Sequence, residues 1–264
     1  RSGVMLKVDN ITISYKGNPV VKNFSMDMER GRIISLVGES GSGKTSVIRA
    51  ILGLLPIGGE VSSGDIIFDG ESLLSYSEDK WNQARGTKIS MIFQDSGAMM
   101  NPTRKIESVF TEYILTHEEI SKQEAWQKAK TMLERMNLPS ADNVMRSYPF
   151  QLSGGMRQRV GIAMSMTYSP ELLLADEPTS ALDVTTQAQI VRQMMELRDE
   201  YNTSIIMVTH NMGVATYMSD YIIVMKDGNI VDEGDRNHIL KESESEYTKT
   251  LIKAVPSMGG ERYV

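Results

Sequence analysis

The stretch GESGSGKT at residues 38–45 is the feature that most constrains how this chain folds. It fits the pattern G-x-x-x-x-G-K-[ST], in which glycines let successive backbone N–H groups curl around phosphate oxygens. The apolar run RIISLVG enters it as a strand and SVIRAILGLLP leaves it as a helix, whose N-terminus also favours an anion. The alternative interpretation is a glycine-rich turn that matches this pattern by chance. The context instead predicts a P-loop, with Lys44 on the β- and γ-phosphates and the Thr45 hydroxyl on Mg²⁺.

A pair of acids follows a second apolar run, in ELLLADEP. A buried strand that ends in Asp176 and Glu177 delivers carboxylates to the sheet edge where α/β proteins bind ligands. The pattern also fits a solvated strand end, but beside a P-loop it predicts catalysis. Asp176 is then expected to hold Mg²⁺, through water, and Glu177 to orient and polarise the attacking water.

Three other side chains stand at strand ends and have two interpretations each. Gln94 in MIFQD is either a surface glutamine or a contact to Mg²⁺ and the attacking water. His210 at the end of SIIMVTH is either structural or a donor to the γ-phosphate. Tyr15 is either an ordinary strand tyrosine or a platform for adenine, and such stacking contributes roughly 1–3 kcal/mol. His117 and His238 have no comparable context.

A second stretch, QLSGGMRQR at residues 151–159, also has the residues of a phosphate cradle. A serine and two glycines precede a helical pattern and two arginines, so the backbone at the helix start is open to an anion. A chain of 264 residues therefore carries two such cradles.

The order of apolar patterns predicts an α/β protein with a mostly parallel sheet, an antiparallel rim and a helical insert. We expect one domain over residues 1–264, with a core at about 5–94 and 166–240, a helical subdomain at about 95–165 and a tail at 241–264. A hairpin is expected to turn at Asp227 and Gly228. RSGV ahead of Met5 has the composition of an expression remnant.

Composition excludes several classes of function. The formal net charge of -6 gives no support for binding nucleic acid. The chain has no cysteine, so disulfides, thiolate metal sites and cysteine-ligated iron–sulfur clusters are excluded. No apolar run approaches the roughly 20 residues that span a bilayer.

Together these pieces resemble the ATP-binding-cassette ATPases across nearly the whole chain. LSGGM, which begins at Leu152, is similar to that family's LSGGQ signature, with Met156 in place of glutamine, and SALD at 180–183 is similar to its D-loop. The resemblance implies the P-loop NTPase fold of that family, with a RecA-like mixed-sheet core, an antiparallel β subdomain and a helical insert. It also implies ATP and Mg²⁺ as cofactors.

The family resemblance explains the two cradles. Two cassettes dimerise head to tail, so each signature faces the ATP of the other subunit. The residues implied to bind ATP within one chain are Tyr15, Gly38, Glu39, Ser40, Gly41, Ser42, Gly43, Lys44, Thr45 and Ser46. Those implied to bind it in trans are Ser153, Gly154 and Gly155. The implied Mg²⁺ ligands are Thr45, Gln94 and Asp176. The implied catalytic residues are Glu177, His210 and Gln94. The implied D-loop residue at the dimer interface is Asp183.

Three stretches resemble the peptide and nickel importer branch: LLPIGGEVSSGDIIFDG, FQDSGAMMNPTRKI and YTKTLIKAVP. The branch implies membrane permease subunits, a second ATPase subunit (a homologous chain or the same one) and, indirectly, an extracellular substrate-binding protein. It implies a peripheral location on the cytoplasmic side of a bacterial membrane. Many oligopeptide and dipeptide members of this branch carry a cysteine-rich C-terminal iron–sulfur tail. This chain has no cysteine and only a short stretch after Pro256, so the resemblance favours nickel or metal chelates as cargo, with short peptides the alternative.

Three alternative functions fit the sequence less well. A soluble cassette ATPase of DNA repair or translation is expected to carry paired cassettes or long coiled-coil or zinc insertions. A module that dimerises on nucleotide without turnover does not need Glu177. A P-loop kinase leaves the signature, the D-loop and His210 unexplained.

Overall fold

In the first antiparallel sheet, polar and apolar residues alternate as the sequence predicts. The computed structural model describes residues 3–255, 257–258 and 261–262. Strands β1 (Val4–Tyr15), β2 (Asn18–Glu29), β4 (Gly59–Phe68) and β5 (Glu71–Ser72) form this sheet in the order β2-β1-β4-β5. Phe24, Met26 and Met28 on β2 are all buried. Strand β4 begins before the expected segment GDIIFDG, because β1 continues to Tyr15 and pairs it with Gly59.

A mixed sheet carries the P-loop. Strand β3 (Ile33–Val37) pairs in parallel with β8 (Ser204–Thr209) and β9 (Tyr221–Lys226), and β9 pairs antiparallel with β10 (Asn229–Gly234). Every residue of β3 and β8 is buried, as expected for parallel strands covered on both faces. The predicted hairpin turn is confirmed, since Asp227 and Gly228 both have positive φ, 50° and 78°.

The strands named so far all belong to one of two compact units. Unit 1 combines Arg1–Gln83 with Arg198–Val264. Its helices are α1 (Lys44–Leu52), α2 (Glu78–Ala84, whose last residue falls in unit 2), α9 (Met212–Met218) and α10 (Glu246–Lys253). A π-helical segment at His238–Glu242 precedes α10, and two short strands, Ser257–Met258 and Glu261–Arg262, pair after it.

Unit 2, Ala84–Leu197, combines a parallel strand pair with a series of helices. Strands β6 (Ile89–Ile92) and β7 (Leu172–Asp176) form the pair. The helices are α3 (Ser96–Met99), α4 (Ile106–His117), α5 (Lys122–Arg135), α6 (Ala141–Arg146), α7 (Gly154–Met166) and most of α8 (Val184–Tyr201). Helix α5 starts at a capping box in which Ser121 and Glu124 satisfy each other's backbone N–H groups.

The α/β class, with a mixed sheet and an antiparallel sheet, is confirmed, whereas the subdomain boundaries stay a prediction. Helices α3 to α7 occupy residues 96–166, the stretch expected to be helical. Within the described residues no helix combines the length and apolar character needed to cross a membrane. Two sequence interpretations fall partly outside the described residues: the proposed remnant RSGV includes Arg1 and Ser2, and the tail includes Pro256.

Candidate nucleotide-binding site

The P-loop connects the buried strand β3 to helix α1, which begins at Lys44. Gly43, the last loop residue, has φ of 99°, and a Cβ there would lie 2.7 Å from Val21 Cγ2. Both the left-handed backbone and the close approach require glycine. The chain thus reaches the N-terminus of α1 through a glycine-rich turn, and the free backbone N–H groups at such a helix start bind phosphate.

Lys44 lies along the inside of this loop, and its side chain is buried. Its Nζ donates to the carbonyl oxygens of Gly38 and Glu39, both at 2.7 Å, and to Ser42 Oγ at 3.1 Å. These three oxygen acceptors offset the free-energy cost of removing the ammonium group from water. The ammonium group is therefore held at the mouth of the loop, where a phosphate chain would enter.

Other parts of unit 1 fix the loop from outside. Gly228, in the β9–β10 turn, donates its N–H to the Ser42 carbonyl at 3.1 Å, and its own carbonyl accepts from the Lys22 N–H at 2.9 Å. The Glu39 N–H donates to Tyr247 Oη on α10 at 2.9 Å. Two elements distant in sequence, the β9–β10 turn and α10, thus hold the loop conformation.

Unit 1 brings Tyr15 and His210 to the same region as the P-loop. The Tyr15 hydroxyl lies 3.2 Å from Ser46 Oγ in the first turn of α1. Val37 and Thr209, the last residues of β3 and β8, are register partners. Gly38 and the exposed His210 therefore leave the sheet side by side.

Unit 2 brings Gln94 and the acid pair to one edge of its strand pair. Ile92 and Ala175 are partners in the parallel ladder, so the residues after them emerge together. Asp176 is buried at the strand end. Glu177 has φ of 45°, a left-handed conformation that is costly for a residue with a side chain.

The signature serine caps a helix of 13 residues. Ser153 Oγ accepts a hydrogen bond from the Met156 N–H at 3.3 Å at the start of α7, and Ser153 itself is exposed. A Cβ on Gly155 would lie 2.5 Å from Thr186 Cγ2. The second signature glycine is thus required by packing against α8, and the helix N-terminus beside it faces solvent.

A cavity of about 280 Å³ in unit 2 joins these elements. Gln94 Nε2 donates to Ser180 Oγ at 3.3 Å, and Gln158 Nε2 on α7 donates to the Phe93 carbonyl at 3.3 Å. The lining residues are Gln94, Asp95, Gly154, Arg157, Gln158, Ser180, Ala181 and Leu182. Gln94 and Asp95, the signature and the SALD segment therefore form one connected surface.

Asp183 has a structural function that its sequence pattern did not indicate. Its carboxylate accepts from the Thr186 N–H at 3.0 Å and from Thr186 Oγ1 at 2.7 Å, which caps the first turn of α8. These hydrogen bonds lower the pKa of the Asp183 carboxyl below its ordinary value. Its role at a dimer interface stays a prediction.

Sequence reasoning missed three contacts at the site. Ser180 lies in the recognised SALD segment, and Gln158 lies in the helical pattern after the signature, so both stood beside a visible signal. No sequence signal indicated the contact of Tyr247, because the residue that it contacts, Glu39, is 208 positions away.

Comparisons with known proteins agree with this geometry. The family profile described as ABC transporter matches residues 21–180. The oligopeptide transport ATP-binding protein OppD of Bacillus subtilis (strain 168) is 40% identical over 259 residues, which cover 96% of this chain and 72% of that protein. The dipeptide transport ATP-binding protein DppD of Lactococcus lactis subsp. cremoris (strain MG1363) is 38% identical, over 96% of this chain and 74% of that protein.

A solved structure shows the same fold. The dimeric post-hydrolysis state of the ATP-binding cassette MJ0796 bound to ADP and Pi has a TM-score of 0.77 and 28% identity, covering 88% of this chain and 99% of that chain. The predicted P-loop ABC ATPase fold is confirmed. Because the profile matches more than half of the chain and both relatives align over most of their length, the chain belongs to the ABC transporter family, as an ATP-binding cassette with ATPase activity.

Proposed function

We propose that this chain is the ATP-hydrolysing subunit of an importer complex that moves short peptides through separate membrane subunits. The observation that carries the proposal is a pair of helix N-termini at glycine-rich segments, α1 behind the P-loop in unit 1 and α7, capped by the exposed Ser153, in unit 2. Each has the backbone donors and dipole that bind an anion. One nucleotide occupies the P-loop, so the second N-terminus serves a nucleotide held by another subunit.

Two copies, or this chain and a homologous one, then form two composite sites. In each, residues 38–46 and Tyr15 of one subunit bind ATP, and Ser153, Gly154 and Gly155 of the other contact its γ-phosphate. The exposed Ser153 and the solvent-facing start of α7 support this assignment. The related cassette MJ0796 was solved as a dimer with ADP and Pi. Thr186 lies close to both Gly155 of the signature and the carboxylate of Asp183, and this proximity supports a position of the D-loop at the same interface.

The side chains divide the chemistry of hydrolysis. Glu177 accepts the proton of the attacking water, and His210 and Gln94 contact the γ-phosphate and that water. The Thr45 hydroxyl in unit 1, and the Gln94 amide and Asp176 carboxylate in unit 2, offer the oxygen donors that Mg²⁺ prefers. The ion neutralises phosphate charge when bound. Lys44, already fixed by three oxygens, adds a further positive charge.

The named relatives support peptides as cargo, since both are peptide transport ATP-binding proteins. The nickel interpretation, which rested on the lack of cysteine, stays the alternative. We place the chain at the cytoplasmic face of a bacterial membrane, bound to permease subunits that receive cargo from an extracellular binding protein.

Mixing two inactive variants tests the composite site. Lys44→Ala damages the P-loop and Ser153→Arg places a bulky cation at the start of α7. A mixed dimer retains one intact site, composed of the P-loop of one chain and the signature of the other. Random mixing of equal amounts should restore about a quarter of the parent ATPase rate, because half of the dimers are mixed. No recovery in chains that demonstrably form mixed dimers would contradict sharing between subunits.

Purification from membranes tests the transport function. The tagged chain should bring with it membrane subunits, and ATPase activity of that complex should rise when di- and oligopeptides are added with the binding protein. A nickel chelate serves as the comparison cargo. If only the nickel chelate stimulates the ATPase, the cargo is a nickel chelate and not a peptide. If the tagged chain is recovered without any membrane subunit, the proposed importer function is contradicted.

A further inference from the structure

The C-terminal helix α10 packs beside the nucleotide-binding elements of unit 1. Tyr247, Leu251, Ile252 and Val255 contact an apolar cluster formed by Val37, Met212, Ala215, Ile222, Val224 and Ile239. Val37 is the last strand residue before the P-loop, and Met212 begins the helix just after His210. The helix is therefore placed against the two segments that lead into the predicted ATP contacts.

Asp232, on β10, anchors this helix by hydrogen bonds. Its carboxylate accepts from the Ser243 hydroxyl and from Thr248 Oγ1 at 2.8 Å, and His238 Nε2 lies 3.0 Å away. Burial acts to raise the pKa of Asp232, but these partners outweigh it and the pKa lies below its ordinary value. Thr248 is completely buried beside Tyr247. The position of Tyr247 is thus determined from both sides of the helix.

A short chain of hydrogen bonds runs from Tyr247 to the phosphate-binding lysine. Tyr247 Oη accepts from the Glu39 N–H at 2.9 Å. The Glu39 carbonyl accepts from Lys44 Nζ at 2.7 Å. The Glu39 backbone is therefore held at its N–H by α10 while its carbonyl orients the Lys44 ammonium. The Tyr247 ring is itself held, with Lys226 Nζ 5.1 Å from its centroid.

We infer that Tyr247 is a positioning residue for ATP binding, which acts through the Glu39 backbone on the P-loop and on Lys44. The inference rests on the proposed function of the P-loop and deepens it. Tyr247 does not have to touch nucleotide. Without its hydroxyl the Glu39 N–H loses its acceptor from α10, and the start of the loop gains freedom that ATP binding must then remove.

Tyr247→Phe removes one oxygen and preserves the apolar contacts of α10. Loss of a hydrogen bond that preorganises the loop should weaken ATP binding about three- to tenfold. The KM for ATP should rise by the same factor while kcat at saturating ATP stays unchanged, because the loop binds ground and transition states alike. The measurements are ATP affinity in a Glu177→Gln background and steady-state kinetics of the otherwise unaltered full chain. Tyr217→Phe, at an exposed tyrosine on α9, is the matched control.

Hydrogen exchange gives a readout that does not depend on nucleotide. In the full chain without ATP, the amide of Glu39 should exchange faster in Tyr247→Phe than in the parent or in Tyr217→Phe. Thr248→Val, which removes one donor to Asp232, should produce a smaller change in the same direction.

The inference is overturned if Tyr247→Phe binds ATP within twofold of the parent, or if kcat falls while KM stays constant. It is also overturned if Tyr217→Phe has an equal effect. Lys44→Ala separates this result from failure of the proposed function. If Lys44→Ala abolishes tight ATP binding and Tyr247→Phe does not alter it, only the role of Tyr247 is wrong. If neither variant changes affinity, the P-loop assignment fails as well.

Discussion

Replacing Glu177 with glutamine should stop steady-state ATP turnover almost completely and leave ATP binding intact. A positioned general base contributes about 10²–10⁴-fold to such reactions, and glutamine keeps the size of glutamate without its basicity. The backbone gives the reason to single out this carboxylate. Glu177 directly follows the buried strand β7, with a left-handed backbone at φ of 45°, so the fold delivers this residue to the end of that strand. Phosphate release under saturating ATP measures the loss.

The Glu177→Gln chain should also accumulate as a dimer when ATP is added, because ATP that is not hydrolysed continues to join the two subunits. Size-exclusion chromatography with and without ATP detects this species. Glu196→Gln makes the same chemical change at an exposed position on α8 and should alter neither turnover nor association. Undiminished hydrolysis by Glu177→Gln would show that this carboxylate is not the general base, because the substitution removes only its basicity.

Much of this site could be predicted from sequence because its signals are local. The P-loop residues are consecutive, and the strand before and the helix after them have patterns of their own. The strands β3, β7 and β8 are continuous apolar runs, which suits parallel strands buried on both faces. The hairpin at Asp227 follows from a two-residue turn that requires positive φ at both positions.

The remainder depends on contacts that no local pattern records. The first half of β4 was missed because residues 59–63 are mostly exposed and polar, and only pairing with the end of β1 makes them a strand. The cap formed by Asp183 depends on the contacts of its carboxylate with Thr186, which the SALD pattern does not record. The contact from Tyr247 to Glu39 depends on how α10 packs, and the apolar cluster that it contacts draws residues from four different segments.

Replacing Lys44 with alanine should produce the largest loss of ATP affinity of any single substitution in unit 1. Hydrogen bonds to charged groups contribute about 1.5–3 kcal/mol each, so loss of the lysine contact to phosphate predicts at least a tenfold weaker complex. The structure adds a second cost. Lys44 Nζ also holds the carbonyls of Gly38 and Glu39, and without it the loop loses the donor around which it closes. The two costs together make a hundredfold loss the expected result for titration with an ATP analogue.

A matched substitution separates loss of the site from loss of the fold. Lys7→Ala removes an exposed lysine from β1 of the same unit, and it should leave both ATP affinity and thermal stability unchanged. Lys44→Ala should melt close to the parent when no nucleotide is present, because a buried charge is removed together with its desolvation cost. Addition of ATP should raise the melting temperature of the parent and of Lys7→Ala much more than that of Lys44→Ala, as mass action requires for a ligand that binds about a hundredfold more weakly. A Lys44→Ala chain that is stabilised by ATP as strongly as the parent would show that phosphate is bound elsewhere.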